Sequence, residues 1–394
     1  MDIPAMRIIP APSESLLPLT ALIGAESAFA RIVRRIREAR QEIEIRMFIW
    51  RNDSIGNLIA DELLAAANRG VKIRIRKDLL GSIHERAEEN RQSFFPHRQP
   101  PHVWLLTQFL KQFYFKPVPA GVLTGRTCPA TNHRLLEHPL VSCQYQDRLW
   151  DHSKCYVFDR ETLILGGMNI EEKLAVGDVH GRQWRDYMIE LRNANLAEAF
   201  LSGKSAQANL NGASARLILH PGDRYTPDSA IRTAIIDLLR KARREVIIEM
   251  AYFGDAVITR EVIETCRRGV ATIIVTSAKA NVQANLNLHI LRRILNETDK
   301  RARVYLSPRM IHSKVMLVDG RYVYLGSGNF NRSSIKCAEV GVIIDCRGSA
   351  DVEQEFKDSL QEAIAESRRV ESAVDLKYRR VLSLTEHLLS AARI

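Results

Sequence analysis

One eight-residue pattern occurs twice in this chain, and the repetition fixes its plan. The first copy runs His152-Ser153-Lys154-Cys155-Tyr156-Val157-Phe158-Asp159 and continues to Gly166-Gly167-Met168-Asn169. The second runs His312-Ser313-Lys314-Val315-Met316-Leu317-Val318-Asp319 and continues to Gly326-Ser327-Gly328-Asn329. Both obey H-x-K-x4-D, with a glycine seven residues after the Asp and an Asn three after that glycine. At average residue usage, one such H-x-K-x4-D arises by accident in roughly one chain in fifty of this length. Two copies with matching Gly and Asn offsets are a duplication, so whatever site the chain builds uses two sets of His, Lys and Asn.

The flanking sequence repeats as well. Residues 26–40 place Phe29, Ile32, Val33 and Ile36 at helical spacing. Glu42 to Trp50 alternates as a strand, 55–69 is helical, and Val71 to Ile75 is a strand after the Arg69-Gly70 turn. The order returns as a helix over 231–243, a strand over 245–253, a helix over 258–268 and a strand from Val270 to Val275. Strands alternating with helices predict α/β domains with mostly parallel pairing. The expected division is an irregular N-terminal arm (1–25), a first domain (26–203), a small, polar linker (204–213) and a second domain (214–394). The first domain carries an insertion within about 81–150, with five histidines (84, 97, 102, 133, 138) and the aromatics Phe109, Phe113, Tyr114 and Phe115. Helix, lid or channel wall would each suit it. The scattered histidines predict surface or hydrogen-bonding roles rather than a metal site. The tail from about 350 is expected to be helical. Its last stretch, Lys377–Ile394, mixes Arg379 and Arg380 with leucines and is expected to cover the core, with a membrane-surface helix as the other use.

Composition bounds the partners. A formal net charge of +11 over 394 residues favours phosphate, nucleic acid or an acidic lipid surface. The six cysteines form no C-x-x-C, which fits reduced thiols in a cytoplasmic protein, with Cys155 a small core residue. The N-terminus does not read as a signal peptide, and no apolar run approaches the ~18 residues a membrane span needs.

The residue types then set the chemistry. His and Lys two apart on a strand point to the same side. Two such pairs facing each other would make a basic cup for a tetrahedral phosphate. Asn169 and Asn329, at the end of the next strand after glycines that let the backbone turn, would add amide donors. One neutral imidazole can attack phosphorus to form a phosphohistidine, and the other can protonate the leaving oxygen. Lys154, Lys314 and the two asparagines would stabilise the non-bridging oxygens, so the mechanism needs no metal and no cofactor. Each imidazole needs a carboxylate to fix its tautomer, and Asp186 and Glu339 are the candidates. Asp159 and Asp319 complete the motif set. Seven residues past each His and near a turn, they are expected to tie down that turn rather than carry protons.

These residues resemble the phospholipase D superfamily and its duplicated HKD motif. More narrowly, Gly166-Gly167-Met168-Asn169-Ile170 with Trp184-Arg185-Asp186 is similar to the first half of bacterial cardiolipin synthases. Gly326-Ser327-Gly328-Asn329 with Asn331-Arg332-Ser333 and Glu339 is similar to their second half. Cys337 departs from the Asn often found two residues before that Glu, the membrane spans many members carry at the N-terminus are not seen, and the 81–150 insertion finds no match. The resemblance implies two tandem α/β domains with mixed sheets flanked by helices, related by a pseudo-twofold axis, with the active site at their interface. It implies transfer of a phosphatidyl group from phosphatidylglycerol or another anionic phospholipid to an alcohol or water, at the inner face of the cell membrane. It assigns His152 as nucleophile and His312 as acid/base, with the reverse order open. A metal-independent nuclease or phosphodiesterase acting on nucleic acid would use the same site and charge, although no nucleic-acid recognition motif is present. A non-catalytic binding module is the third reading, and the intact His, Lys and Asn in both halves argue against it.

Overall fold

The structure is a computed structural model that describes residues 17–87, 93–95, 101–110, 129–146, 150–178, 181–222 and 229–391. The first half opens with β1 (Leu19–Ile23), α1 (Gly24–Glu38), β2 (Glu42–Met47), α2 (Ser54–Asn68) and β3 (Lys72–Asp78). Helices α3 (Leu79–Ala87), α4 (Pro101–Leu110) and α5 (Pro129–Leu136) precede β4 (Val141–Gln146). The motif hairpin is β5 (Lys154–Phe158) and β6 (Thr162–Gly166). The half closes with α6 (Lys173–Val176), β7 (Trp184–Arg185), β8 (Tyr187–Arg192) and α7 (Ala194–Leu201).

The second half runs β9 (Ala206–Leu210), β10 (Ala213–His220), α8 (Ala230–Lys241), β11 (Glu245–Met250), α9 (Ala256–Arg267) and β12 (Ala271–Ser277). Then come α10 (Ala284–Glu297), β13 (Arg303–Ser307), β14 (Met310–Ile311) and the second motif hairpin, β15 (Lys314–Val318) with β16 (Tyr322–Gly326). Helix α11 (Arg332–Lys336), β17 (Glu339–Asp345), α12 (Ala350–Ala365), β18 (Arg368–Arg369) and α13 (Arg380–Ala391) complete it.

The sheets have the orders β1-β8-β6-β5-β2-β3-β4 and β18-β13-β12-β11-β15-β16-β17-β10-β9. Read from β10 to β13, the second repeats the first strand for strand, with β9 and β18 added at its edges. Parallel pairing is confined, within these sheets, to β2–β3–β4 and β11–β12–β13. The expectation of mostly parallel pairing is thereby corrected. The helices between β2, β3 and β4 and between β11, β12 and β13 carry the chain back so that these strands run parallel, but each motif strand is followed by a short turn, which only an antiparallel hairpin accommodates.

Three further expectations change. Residues 19–23 of the supposed arm are an edge strand, paired antiparallel with β8. The supposed linker holds β9, a hairpin partner of β10. The end of the insertion, 141–146, is β4, which occupies in its sheet the place β13 takes in the other.

The two sheets share one core. Cys155, Val157, Leu163 and Ile189 from one half pack with Val315, Leu317, Leu325 and Val342 from the other. Alternate residues of the same strands, Tyr156 and Phe158 or Met316 and Val318, face each half's own helices. Fully burying one such side chain contributes about 1.5–3 kcal/mol, so this shared layer fixes the halves against each other. Each motif aspartate fastens its hairpin to the neighbouring helix–strand junction. Asp159 accepts the amides of Arg40, Gln41 and Glu42 at 2.8–3.0 Å. Asp319 accepts those of Arg243, Arg244 and Glu245 at 2.7–3.0 Å. Both have positive φ (50° and 55°) at the turn.

Candidate active site

Both motif histidines lie just ahead of their strands, at the seam between the halves. The His152 amide donates to the Ala338 carbonyl at 2.8 Å, and the His312 amide donates to the Arg185 carbonyl at 2.9 Å. Each backbone is thus docked on the segment of the other half that carries a candidate carboxylate. His152 Nδ1 meets both oxygens of Glu339 at 3.1 Å. His312 Nδ1 lies 2.6 Å from Asp186 Oδ2. With Nδ1 held in each ring, Nε2 is the nitrogen left to face the pocket that both imidazoles line.

The glycines before each Asn serve packing rather than a turn. None of Gly166, Gly167, Gly326 or Gly328 has a positive φ. A Cβ on Gly167 would lie 2.2 Å from Asp186 Oδ1, and one on Gly326 would lie 2.5 Å from the Val340 carbonyl. These positions lack a side chain so that the histidine-binding carboxylate and its strand can approach.

Lys154 and Lys314 are fully buried, and each ammonium donates to the carbonyl of the His two residues before it. Burial and their mutual repulsion bring Lys154 down to about 7, with Glu339 opposing. Burial lowers Lys314 to about 8, against the pull of Asp186 and Glu339. A phosphoryl group among these cations would reverse both shifts. Burial also lowers both imidazoles, with Glu339 partly restoring His152, while Lys314 and Lys154 push His312 further down. Asp186 is raised by burial to about 7 in spite of the two lysines. Burial pushes Glu339 up, but His152, Lys154 and the Ser327 hydroxyl outweigh it and hold Glu339 below the usual carboxylate value.

Asn169 and Asn329 both reach the pocket. The Asn169 amide already donates to Glu171 at 3.1 Å, whereas Asn329 Oδ1 is buried without a hydrogen-bond partner. Asp159 and Asp319, grouped with the catalytic set from the motif alone, stand at the far ends of their strands on backbone amides and do not line this pocket.

Sequence reasoning missed several neighbours. Glu171 binds Arg51 at 2.8 Å and Lys173 at 3.1 Å, all three buried beside the pocket. The spacing Asn169-x-Glu171-x-Lys173 was the available signal. Glu249 accepts from Ser313 at 2.6 Å and lies 3.6 Å from Arg185, behind the Asp186–His312 pair. Phe48 meets the His152 ring edge-on at 4.6 Å between centroids. Of the insertion histidines, His84 lines the pocket, His133 stands beside Glu137 on the surface, and His138 accepts the Leu140 amide. His97, the His102 side chain, Phe113, Tyr114, Phe115 and Cys128 lie outside the described residues. Much of the remaining wall is apolar, including Ile49, Leu80, Leu110, Trp184, Val282 and Leu389.

Residues 32–201 and 235–362 match the protein family described as "Cardiolipin synthase, PLD-like domain". The chain belongs to that family. It is 25% identical to cardiolipin synthase B of Escherichia coli, over 94% of this chain and 86% of the relative. It is 25% identical to cardiolipin synthase A of Pseudomonas aeruginosa, over 86% of this chain and 67% of the relative. Among solved structures, the phosphatidylserine synthase of Haemophilus influenzae superposes with a TM-score of 0.65 at 14% identity, covering 94% of this chain and 91% of its own. The polyphosphate kinase of Porphyromonas gingivalis superposes with a TM-score of 0.54 at 13% identity, covering 95% of this chain and 53% of its own. The fold is thus that of the phospholipase D superfamily, two α/β units with mixed sheets. Among the described residues no helix is long and apolar enough to cross a membrane.

Proposed function

We propose that this member of the cardiolipin synthase-type family transfers or hydrolyses phosphatidyl groups through a covalent phosphohistidine. The observation that carries the reading is the crossed pairing of His152 with Glu339 and His312 with Asp186, around one largely apolar pocket. In the first step His152 Nε2 attacks phosphorus, its Nδ1–H held by ionised Glu339. The phosphorus–oxygen bond to the leaving alcohol breaks as His312 gives that oxygen a proton. In the second step His312 removes a proton from water or an alcohol, whose oxygen attacks phosphorus and releases His152. Asn329 in the pocket wall, with the buried charges of Lys154 and Lys314 held behind the two histidines, would stabilise the phosphoryl oxygens in both transition states.

The proton supply comes from the Asp186–His312 pair. A raised carboxyl beside a lowered imidazole at 2.6 Å is one proton held by the pair, available to Nε2 until near neutral pH. The apolar wall favours a lipid over a nucleic acid, because acyl chains gain by leaving water and a sugar–phosphate backbone does not. The test is incubation of purified protein with phosphatidylglycerol vesicles and, separately, with single- and double-stranded DNA. Cardiolipin or phosphatidic acid is expected from the vesicles; DNA cleavage without any lipid product would overturn the reading.

A further inference from the structure

Helix α13 is built inside out. Its buried residues are Ser383 and Ser390. Glu386, on the same face, accepts from the Asn285 side chain at 2.9 Å and the Leu286 amide at 2.7 Å, at the N-terminus of α10. Lys336 donates to the Ala391 carbonyl at 2.6 Å. The opposite face carries Val381, Leu384 and Leu388, spaced i, i+3, i+7, and these are 77%, 61% and 60% exposed. A helix that served the core would present these faces the other way round. The expectation that this stretch covers the core is therefore corrected: it docks by polar contacts and leaves its apolar stripe outward.

Two features say what meets that stripe. The first is charge. Lys377, Arg379 and Arg380 are exposed at the start of α13, and Arg292, Arg293 and Arg380 lie near enough to His289 on α10 to help lower it, after burial. The second is position. The pocket is walled by Glu386 and Leu389 of α13 and by Leu110 of α4, and α4 exposes Trp104 (53%) and Leu105 (61%). α13 and α4 thus each supply part of the pocket wall and each carry an exposed apolar face beside it, with a cationic fringe on α13 and α10.

We infer that the face formed by α13 and α4 docks on a bilayer containing anionic lipid, so that the pocket opens onto the membrane surface. This rests on the phospholipid reading above. Leucines and a tryptophan at the boundary between headgroups and acyl chains, with arginines at the phosphates, are the elements of an interfacial helix. A second copy of the chain would bury the same leucines but would set like charges against each other, since the chain carries a formal net charge of +11, whereas an anionic bilayer complements Lys377, Arg379 and Arg380.

The test is co-sedimentation with vesicles of phosphatidylcholine alone and of phosphatidylcholine with phosphatidylglycerol. It compares the wild type, Leu384→Glu with Leu388→Glu, and Trp104→Glu, and it measures turnover on the mixed vesicles and on a short-chain phosphatidylglycerol below its micelle concentration. The wild type should bind the anionic vesicles preferentially. The double variant should lose about a hundredfold in vesicle binding and in vesicle turnover, Trp104→Glu about tenfold. Both should keep short-chain turnover within about twofold, because none of the three residues lines the pocket. Unchanged vesicle binding in both variants overturns the docking face, and so does a dimer that the double variant splits while vesicle binding persists. Short-chain turnover in either of those cases leaves the enzymatic reading standing. Vesicle binding lost in the variants, with no phospholipid turned over in any form, would sink the enzymatic reading and leave the docking face.

Discussion

The same motif builds two unlike half-sites. Around His152, Glu339 offers both oxygens at 3.1 Å, is itself held by Ser327, and stays ionised. Around His312, Asp186 offers one oxygen at 2.6 Å, is raised to about 7, and Lys314 Nζ lies 3.3 Å from both ring nitrogens. The amides differ as well: Asn169 is committed to Glu171, while Asn329 keeps an unpartnered oxygen. At the positions matching Glu171 and Lys173 the second half has Asn331 and Ser333. A duplicated motif supplies the groups, and the residues behind it give the two histidines different partners and different electrostatics. A neutral imidazole backed by an ionised carboxylate suits attack, and a pair that keeps a proton to neutrality suits donation.

The largest expected effects test whether the halves form one site at all. His152→Ala and His312→Ala should each lower kcat by at least about 10⁴-fold, and the double variant should be hardly worse than either, since the two act as a unit. Steady-state turnover of phosphatidylglycerol measures this. Additive losses would mean two independent sites.

The carboxylates sharpen the contrast. Glu339→Gln and Asp186→Asn should each cost about 10²–10⁴-fold, by analogy with tautomer-fixing carboxylates elsewhere. With a substrate whose leaving group is an aryl oxide needing no proton, Asp186→Asn should recover most of its first-step rate and Glu339→Gln should not. Equal behaviour of the two variants in a burst experiment would erase the proposed division.

The pH profile comes next. In the proposed mechanism Lys154 and Lys314 would hold the phosphoryl group only when protonated, and their values of about 7 and 8 place that loss on the alkaline side. The Asp186–His312 pair loses its proton in the same range. kcat/KM should therefore fall as pH rises through about 7–8, and the fall in kcat should lie at higher pH because bound phosphate raises both lysines. An alkaline limb identical in kcat and kcat/KM would contradict the anion-binding role.

The smallest effect concerns the motif aspartate. Asp319→Ala should cost about 1 kcal/mol of stability, a partly exposed cap on three backbone amides, with kcat within about twofold. Its carboxyl is held below the usual value by those amides and Arg244, which outweigh burial. The stabilisation is present above the unfolded pKa and fades as pH falls through the lower folded one. Urea melts at pH 7 and pH 3 measure it; a loss of activity larger than the loss of stability would return Asp319 to the catalytic set.

Much of this was legible in the sequence because it is local. The stripe Phe29, Ile32, Val33 and Ile36, the motif strands and the repeated order depend on periods of 3.6 and 2. Asp186 and Glu339 were found as types, but that each serves the histidine of the other half is a tertiary fact no spacing encodes. β1 was hidden beside a proline-rich stretch, and β9 reads Ala-Gln-Ala-Asn-Leu, whose burial is slight because it lies at an edge. β4 was missed although Val141, Cys143 and Tyr145 alternate with polar residues. The role of the glycines was misread because a close approach leaves no trace in local sequence, only in the Asp186 oxygen that a Cβ on Gly167 would strike. α13 has an amphipathic pattern, and a pattern alone does not say which face turns inward.

The measurement that tests the central claim most directly is acid-sensitive adduct mapping. The His312→Ala variant is mixed with a phosphatidyl ester bearing an aryl leaving group, quenched in denaturant and digested, and the peptides are read by mass spectrometry. A phosphatidyl group should accumulate on His152, with none on the peptide that carries the substituted second-motif position and none in the His152→Ala variant. An adduct that persists in the His152→Ala variant on His312, or wild-type turnover without any histidine adduct, would contradict the account.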